Sequence, residues 1–302
     1  MNFQRIAVIG PGLLGGSLVR AIAERAPFSK EKGEGVEVRV WGRRPEVVAQ
    51  LQAMGEAELA STDLAEVVAG ADLVVLATPI GVMADCVRRL IDAGALGVGA
   101  VVTDVGSVKA SVVAEIEPLV SASGAHFIGS HPMAGSEKNG LEYAEAALFE
   151  GAACLLTPTP LSDAGALERV DEFWQWLGAH TSRLSPEAHD RAVAMVSHLP
   201  HLVAALLVES VLGRSPEVAA FAGGGFRDST RIASGHAEMW TEILLENREA
   251  VREALADFHR LTGESLAFFD DLKKEELHRL LADAKSRRDG FRMNGPHTPP
   301  QS

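Results

Sequence analysis

The apolar positions of this chain fall into two regimes. Over roughly the first 180 residues they come in short runs: RIAVI (5–9), VEVRVW (36–41), DLVVLA (72–77), AVVT (100–103), HFIG (126–129) and AACLL (152–156). Runs this short, bounded by Gly, Pro and charged residues, predict strands, and the unbroken RIAVI predicts one buried on both faces. Helical periodicity lies between them, through Leu18, Ile22 and Ala23 and again from about Val108 to Leu119. Strands alternating with helices predict a parallel sheet with right-handed crossovers. The polar stretch PFSKEKGEG predicts an unusually long loop before the second strand. Near Ser185 the strand-like runs stop, and helices are predicted over 186–211, 216–221, 239–269 and 274–285. The fold class is therefore α/β: an N-terminal doubly wound parallel sheet over 1–184, then an all-α domain over 185–288. The Pro-rich polar tail, 289–302, is expected to be disordered.

Composition narrows the function. Hydrophobic residues make up 47% of the 302, enough for a sizeable core, and the formal net charge of -13 disfavours nucleic acid and anionic membrane surfaces. Cys86 and Cys154 stand in no CxxC pair and near no spaced histidine cluster, so neither a disulfide framework nor a metal site is expected, and a reducing cytoplasm fits. The start, MNFQRIAVIG, has no signal-peptide pattern. The apolar stretch 192–212 contains His198, Pro200, His201 and Glu209, which argues against a membrane span and for a helix buried at a domain or subunit contact.

Gly10, Gly12 and Gly15 spell G-x-G-x-x-G directly after the first strand and at the opening of a helix, with Leu13 and Leu14 inside the motif. In that context the glycines allow a tight turn and a close backbone approach to a pyrophosphate, and the helix N-terminus offers unpaired N–H groups. A Rossmann-type dinucleotide site is the reading. The second strand ends in Trp41-Gly42-Arg43-Arg44, with no acidic residue for the adenosine ribose. Two arginines there suit a phosphate, so NADP is favoured and NAD admitted.

Three further loops follow strand ends, where ligands sit in doubly wound sheets: Thr78-Pro79, DVGSVK (104–109) and SHPMAGSEKNG (130–140). His131 is taken to follow its strand directly, so its imidazole can reach the cleft and accept a proton from a hydroxyl. Taken in order, GxGxxG, DVGSVK, HPMAGSE, SHLPH and FRDSTRIASG resemble the prephenate/arogenate dehydrogenase family over about residues 5–285. The resemblance implies a homodimer built through the helical domain. It implies His131 as the catalytic histidine on a ring hydroxyl, with Ser107 orienting that hydroxyl. It further implies Arg231 on a substrate carboxylate, His198 and Trp240 in the pocket, and Glu137 with Asp228 as gate residues. Each has a plainer reading: Ser107 as a helix cap, Trp240 as core packing, Arg231 paired with Asp228. His198 and His201 mimic a metal pair, but Pro200 is taken to interrupt their helix and no third ligand is evident.

The implied reaction removes hydride from C4 of a cyclohexadienol while CO2 leaves C1, with aromatisation as the driving force; prephenate and arogenate both fit. A β-hydroxyacid dehydrogenase generally relies on a lysine in its second domain, and here the lysines after Lys138 are Lys273, Lys274 and Lys285, all late. A non-enzymatic nucleotide sensor would need neither His131 nor Arg231. No fused mutase or regulatory domain is expected.

Overall fold

The computed structural model describes residues 2–29, 34–135 and 138–291. The first half runs β1 (Arg5–Ile9), α1 (Leu13–Arg25), β2 (Glu37–Trp41), α2 (Pro45–Met54), β3 (Leu59–Ser61), α3 (Leu64–Val68), β4 (Leu73–Leu76), α4 (Ile80–Asp92), β5 (Val101–Asp104), α5 (Ala110–Ala122), β6 (His126–Pro132), β7 (Ala153–Thr157), α6 (Ala164–Trp176) and β8 (His180–Arg183). The strands form one sheet in the order β3-β2-β1-β4-β5-β6-β7-β8. Every pairing is parallel except β6 with β7. The order of the first six is that of a Rossmann sheet, with the switch point between β1 and β4.

Alternating side chains of each strand feed two hydrophobic layers. Ile6 and Val8 point to one, where they meet Leu18 and Ile22 of α1 and Phe173 and Trp174 of α6. Ala7 and Ile9 point to the other, against Val67 of α3, Val87 of α4 and Ile116 of α5. Both layers draw on residues 3–179 alone.

Several expectations need correction. β3 and β8 were not predicted; β3 has three residues, and β8 (HTSR) is polar, so neither carries an apolar run. β6 is three residues longer than HFIG, because antiparallel β7 supplies hydrogen-bond partners for Gly129 through Pro132. His131 therefore sits within the strand rather than after it. α5 starts at Ala110, not near Val108.

From Pro186 the described chain is helical: α7 (Pro186–Val193), a π-helical segment Ala194–His198, α8 (Leu199–Val211), α9 (Gly224–Thr230), α10 (Ala237–Glu246), α11 (Arg248–Asp270) and α12 (Lys274–Gly290), with 3₁₀ turns at Pro216–Phe221 and Arg231–Ser234. Pro200 does not interrupt its helix. It lacks the N–H that an α-turn would require, and the π turn ahead of it widens the spiral so that α7 and α8 remain one continuous rod, Pro186–Val211. That rod is long and apolar enough to cross a membrane by length and composition, yet only 28% of its most apolar window is covered by the rest of the chain. The helix expected over 239–269 is broken at Asn247 (φ -103°, ψ 28°). α12 extends to Gly290, into the stretch expected to be tail; residues 292–302 lie outside those described.

Candidate functional site

The nucleotide end is built by the β1–α1 turn. Gly10 has φ +109°, a left-handed value that costs glycine nothing, and its N–H donates to the Trp41 carbonyl at 3.0 Å. A Cβ on Gly15 would lie 1.9 Å from the Gly10 carbonyl oxygen, whereas one on Gly12 would meet nothing within 4 Å. The turn is thus packed tight beneath and open above, as a bound pyrophosphate requires. No side chain caps α1, so its first N–H groups, at Leu13 and Leu14, remain available. At the end of β4 the Thr78 Oγ1 is buried with no protein partner, and Pro79 caps α4. Arg43 and Arg44 are both exposed beyond β2; Arg44 stands 3.9 Å from Glu46. These residues fit a dinucleotide.

The β5–α5 loop is anchored by a charge pair. Asp104 and Lys109, both fully buried, form an ion pair, and the Gly106 N–H donates to Asp104 Oδ2 at 2.8 Å. A Cβ at Gly106 would come within 2.9 Å of that same oxygen, which explains the glycine of DVGSVK. Ser107 is left half-buried at the bend. It does not cap α5: the Lys109 and Ala110 N–H groups donate instead to Asp190 of α7, at 2.8 and 2.9 Å.

On adjacent β6, Ser130 donates its N–H to Asp104 Oδ1 (3.1 Å) and accepts from Trp174 Nε1 (3.1 Å), which fixes the strand end. His131, 7% exposed, places Nδ1 2.8 Å from Nε2 of fully buried His189, and His189 places Nδ1 2.8 Å from Asp190 Oδ1. Burial lowers the His131 pKa well below the ordinary histidine value, and the neighbouring His189, Lys109 and His198 push the same way. His189 is also depressed by burial, opposed by its bond to Asp190. Both rings are therefore neutral at physiological pH.

The helical half supplies the facing wall. His198, in the π segment, is buried and pushed down to about 4, mainly by burial. Its Nδ1 lies 3.2 Å from Asn247 Nδ2, while its Nε2 is buried without a partner. Asn247 Nδ2 also donates to the Asp190 carbonyl at 2.8 Å. Leaving helical geometry at Asn247 is what turns that amide inward. Trp240 is half-buried, stacked on His201 (centroids 3.6 Å, 11° between planes) and edge-on to His198 at 6.2 Å. Arg231, opening a 3₁₀ turn, and Asp228, on α9, are exposed. Glu137 lies outside the described residues.

His131 and His198 thus share one polar network, with Ser107 on the loop beside it. His189, Asp190 and Asn247 escaped the sequence reading. The pair HD in PEAHDRAV and the Asn in LLENREA both lie inside stretches that read as continuous helix, 186–211 and 239–269. Only Asn247, a weak helix former, carries a signal that could have marked a break.

Residues 26–183 match the family model for the prephenate dehydrogenase nucleotide-binding domain, and residues 185–283 match that for the prephenate dehydrogenase dimerization domain. A prephenate dehydrogenase of Bacillus subtilis (strain 168) is 34% identical over 289 residues, covering 95% of this chain and 76% of the relative. The crystal structure of A. aeolicus prephenate dehydrogenase in complex with hydroxyphenyl propionate and NAD+ superposes with a TM-score of 0.87 at 32% identity, over 96% of this chain and 99% of that one. Synechocystis arogenate dehydrogenase gives 0.80 at 30% identity, over 96% and 100%. With both halves matched by the family models and a relative 34% identical over 95% of the chain, the chain belongs to the prephenate dehydrogenase family of NAD(P)-dependent oxidoreductases.

Proposed function

We propose that this protein oxidatively decarboxylates prephenate to 4-hydroxyphenylpyruvate, as a cytoplasmic homodimer that prefers NADP. Residues 1–184 hold the dinucleotide. Residues 185–288 close the substrate pocket and form the subunit contact. The observation that carries this reading is His131: a buried, neutral imidazole near the C-terminal end of β6, next to the β5–α5 loop and on the ligand-binding edge of the sheet.

The nucleotide would be held by Gly10, Gly12, Leu13, Leu14, Gly15, Thr78 and Pro79, and it supplies a hydride acceptor when bound. The work of the chain is to orient and to take a proton. His131 accepts the proton of the C4 hydroxyl as a carbonyl forms there, a contribution of roughly 10²- to 10⁴-fold. Ser107 orients that hydroxyl. Arg231 holds a substrate carboxylate by a charge-assisted bond worth about 1.5–3 kcal/mol. His198 and Trp240 line the pocket, and Glu137 and Asp228 guard its mouth, Asp228 from the partner subunit. Loss of CO2 then leaves a phenol, which makes the step irreversible in practice.

Two features support the assembly and the cofactor. The apolar rod Pro186–Val211 is largely uncovered in the single chain, and a second copy would bury it. Arg43 and Arg44 are exposed where the ribose phosphate of NADP would lie, with no acid in their place. The deciding assay follows absorbance at 340 nm with prephenate or arogenate, each with NADP or NAD. The highest kcat/KM is expected for prephenate with NADP, and Arg43→Ala should erase the cofactor preference. Turnover of arogenate alone would replace the substrate; an unchanged preference in Arg43→Ala would remove that arginine from the cofactor site.

A further inference from the structure

We propose that His189, Asp190 and Asn247 are positioning residues that hold His131 and His198 in opposite tautomers, so that one pocket imidazole is poised to accept a proton and the other to donate one. The assignment follows from hydrogen-bond bookkeeping that starts at Asp190. This side chain takes two main-chain N–H groups at the start of α5, Lys109 on Oδ1 and Ala110 on Oδ2. Held by two main-chain N–H donors, this carboxylate acts as an acceptor. His189 Nδ1, 2.8 Å from Oδ1, must therefore carry the proton. A neutral ring has one N–H, so His189 Nε2 is a bare lone pair. His131 Nδ1, 2.8 Å from it, must then be the donor. Since His131 is neutral as well, its Nε2 is the acceptor.

The second branch runs through the same residue. The backbone carbonyl of Asp190 accepts from Asn247 Nδ2 at 2.8 Å, which fixes which end of that amide faces inward. The other hydrogen of the same NH2 points at His198 Nδ1, 3.2 Å away, so that nitrogen accepts. His198 must hold its proton on Nε2, the buried atom for which the protein offers no partner. In the proposed reaction, His131 Nε2 would receive the C4 hydroxyl proton while His198 Nε2–H would donate to a substrate oxygen. When His131 becomes an imidazolium, its Nδ1–H continues to donate to His189 Nε2, and the chain ends on the Asp190 carboxylate. The positive charge is thus offset without a carboxylate touching the catalytic ring.

Other charged or titratable groups face this network from the neighbouring elements: the Asp104–Lys109 ion pair from β5 and its loop, Cys154 from β7 and His201 from α8. Lys109 disfavours a second positive charge, consistent with two neutral rings at rest.

The inference rests on the proposed reaction for its purpose but not for its test. Full-length protein labelled with ¹⁵N-histidine, with and without NADP, reports tautomers directly by two-bond ¹H–¹⁵N correlation at pH 7.5, assigned from His131→Gln and His198→Gln spectra. The expected result is His131 protonated on Nδ1 and His198 protonated on Nε2. The opposite tautomer at either ring overturns the proposal, whatever the protein does to prephenate. Inactivity on prephenate would sink the functional reading and leave the tautomer result standing. In His189→Leu, kcat should fall about 10²-fold with KM for prephenate within about 2-fold, and His131 should lose its single tautomer; His189→Gln, which restores an acceptor oxygen, should recover about 10-fold of that loss. A fall in kcat with the His131 tautomer unchanged would mark His189 as merely structural and overturn its role. If His189→Leu does not fold, the wild-type spectrum still decides.

Discussion

The sheet half of this chain builds a large hydrophobic core, whereas the helical half buries only a small and mixed set of residues. The two hydrophobic layers end at Ala179 and at Phe127, and helix α1 alone buries seven residues, four of them in the first layer. α8, of equal length and far more apolar, buries only His201 and Ala204, and α9 and α12 bury nothing. The helical half buries apolar and polar residues in similar measure: Val193, Ala194, Ala204, Ile243, Val251 and Ala254 beside His189, Asp190, His198, His201 and Asn247. Much of its bulkier hydrocarbon faces out, with Leu206 50%, Phe269 66% and Phe221 86% exposed. One half folds around its own oil. The other joins its buried polar side chains into one hydrogen-bond network and leaves larger apolar side chains exposed in the single chain.

That contrast can be broken most sharply at His131, on the sheet side. His131→Asn should lower kcat by at least about 10²-fold while melting temperature and NADP affinity hold; near-normal turnover would remove the histidine from the chemistry. Next comes the outward face of the helical half. Leu206→Asp places a charge where the partner's hydrocarbon should lie, and dimer affinity should drop about 10²-fold, seen by light scattering as monomer at micromolar concentration. Nucleotide binding should survive, because the sheet half needs no partner for its core. A smaller effect is expected from Arg231→Ala, roughly a 10-fold rise in KM for prephenate with little change in kcat. An unaltered KM would mean that this guanidinium meets no substrate.

The gentlest test is acid. His131, His189 and His198 all have pKa values lowered in the folded chain, His198 to about 4. The unfolded chain therefore takes up protons first as pH falls. Stability is complete above about pH 7 and is lost as pH drops through 6.5 toward 4, on the order of 1 kcal/mol per histidine by pH 6. A melting temperature that is flat between pH 7.5 and 6 would show that these rings are not sealed as described.

Much of the sheet half was legible in advance because its signals are local. A buried strand followed by Gly10, Gly12 and Gly15 announces both the fold and the ligand. β6 was underestimated because its last turns of extension come from pairing with β7, a contact between residues about 25 apart. The helical half was legible as helix and illegible as site. His189 and Asp190 act on His131 and on the start of α5, some 58 and 80 residues upstream, and no spacing rule connects them. Asn247 reads as part of one helix over 239–269; that the chain breaks there and delivers an amide to His198 is a fact of tertiary geometry.

The widened turn at Ala194–His198 has an engineering corollary. A π turn holds one residue more than an α turn, and each residue advances a helix by about 100°. The extra residue rotates everything downstream by roughly that angle, so one rod aims His189 at the sheet with its first part and His201 at Trp240 with its second. Excising a single residue between 194 and 198 would give a more regular helix and a misaligned one: whichever end stayed docked, the other would swing its ring a quarter-turn off target.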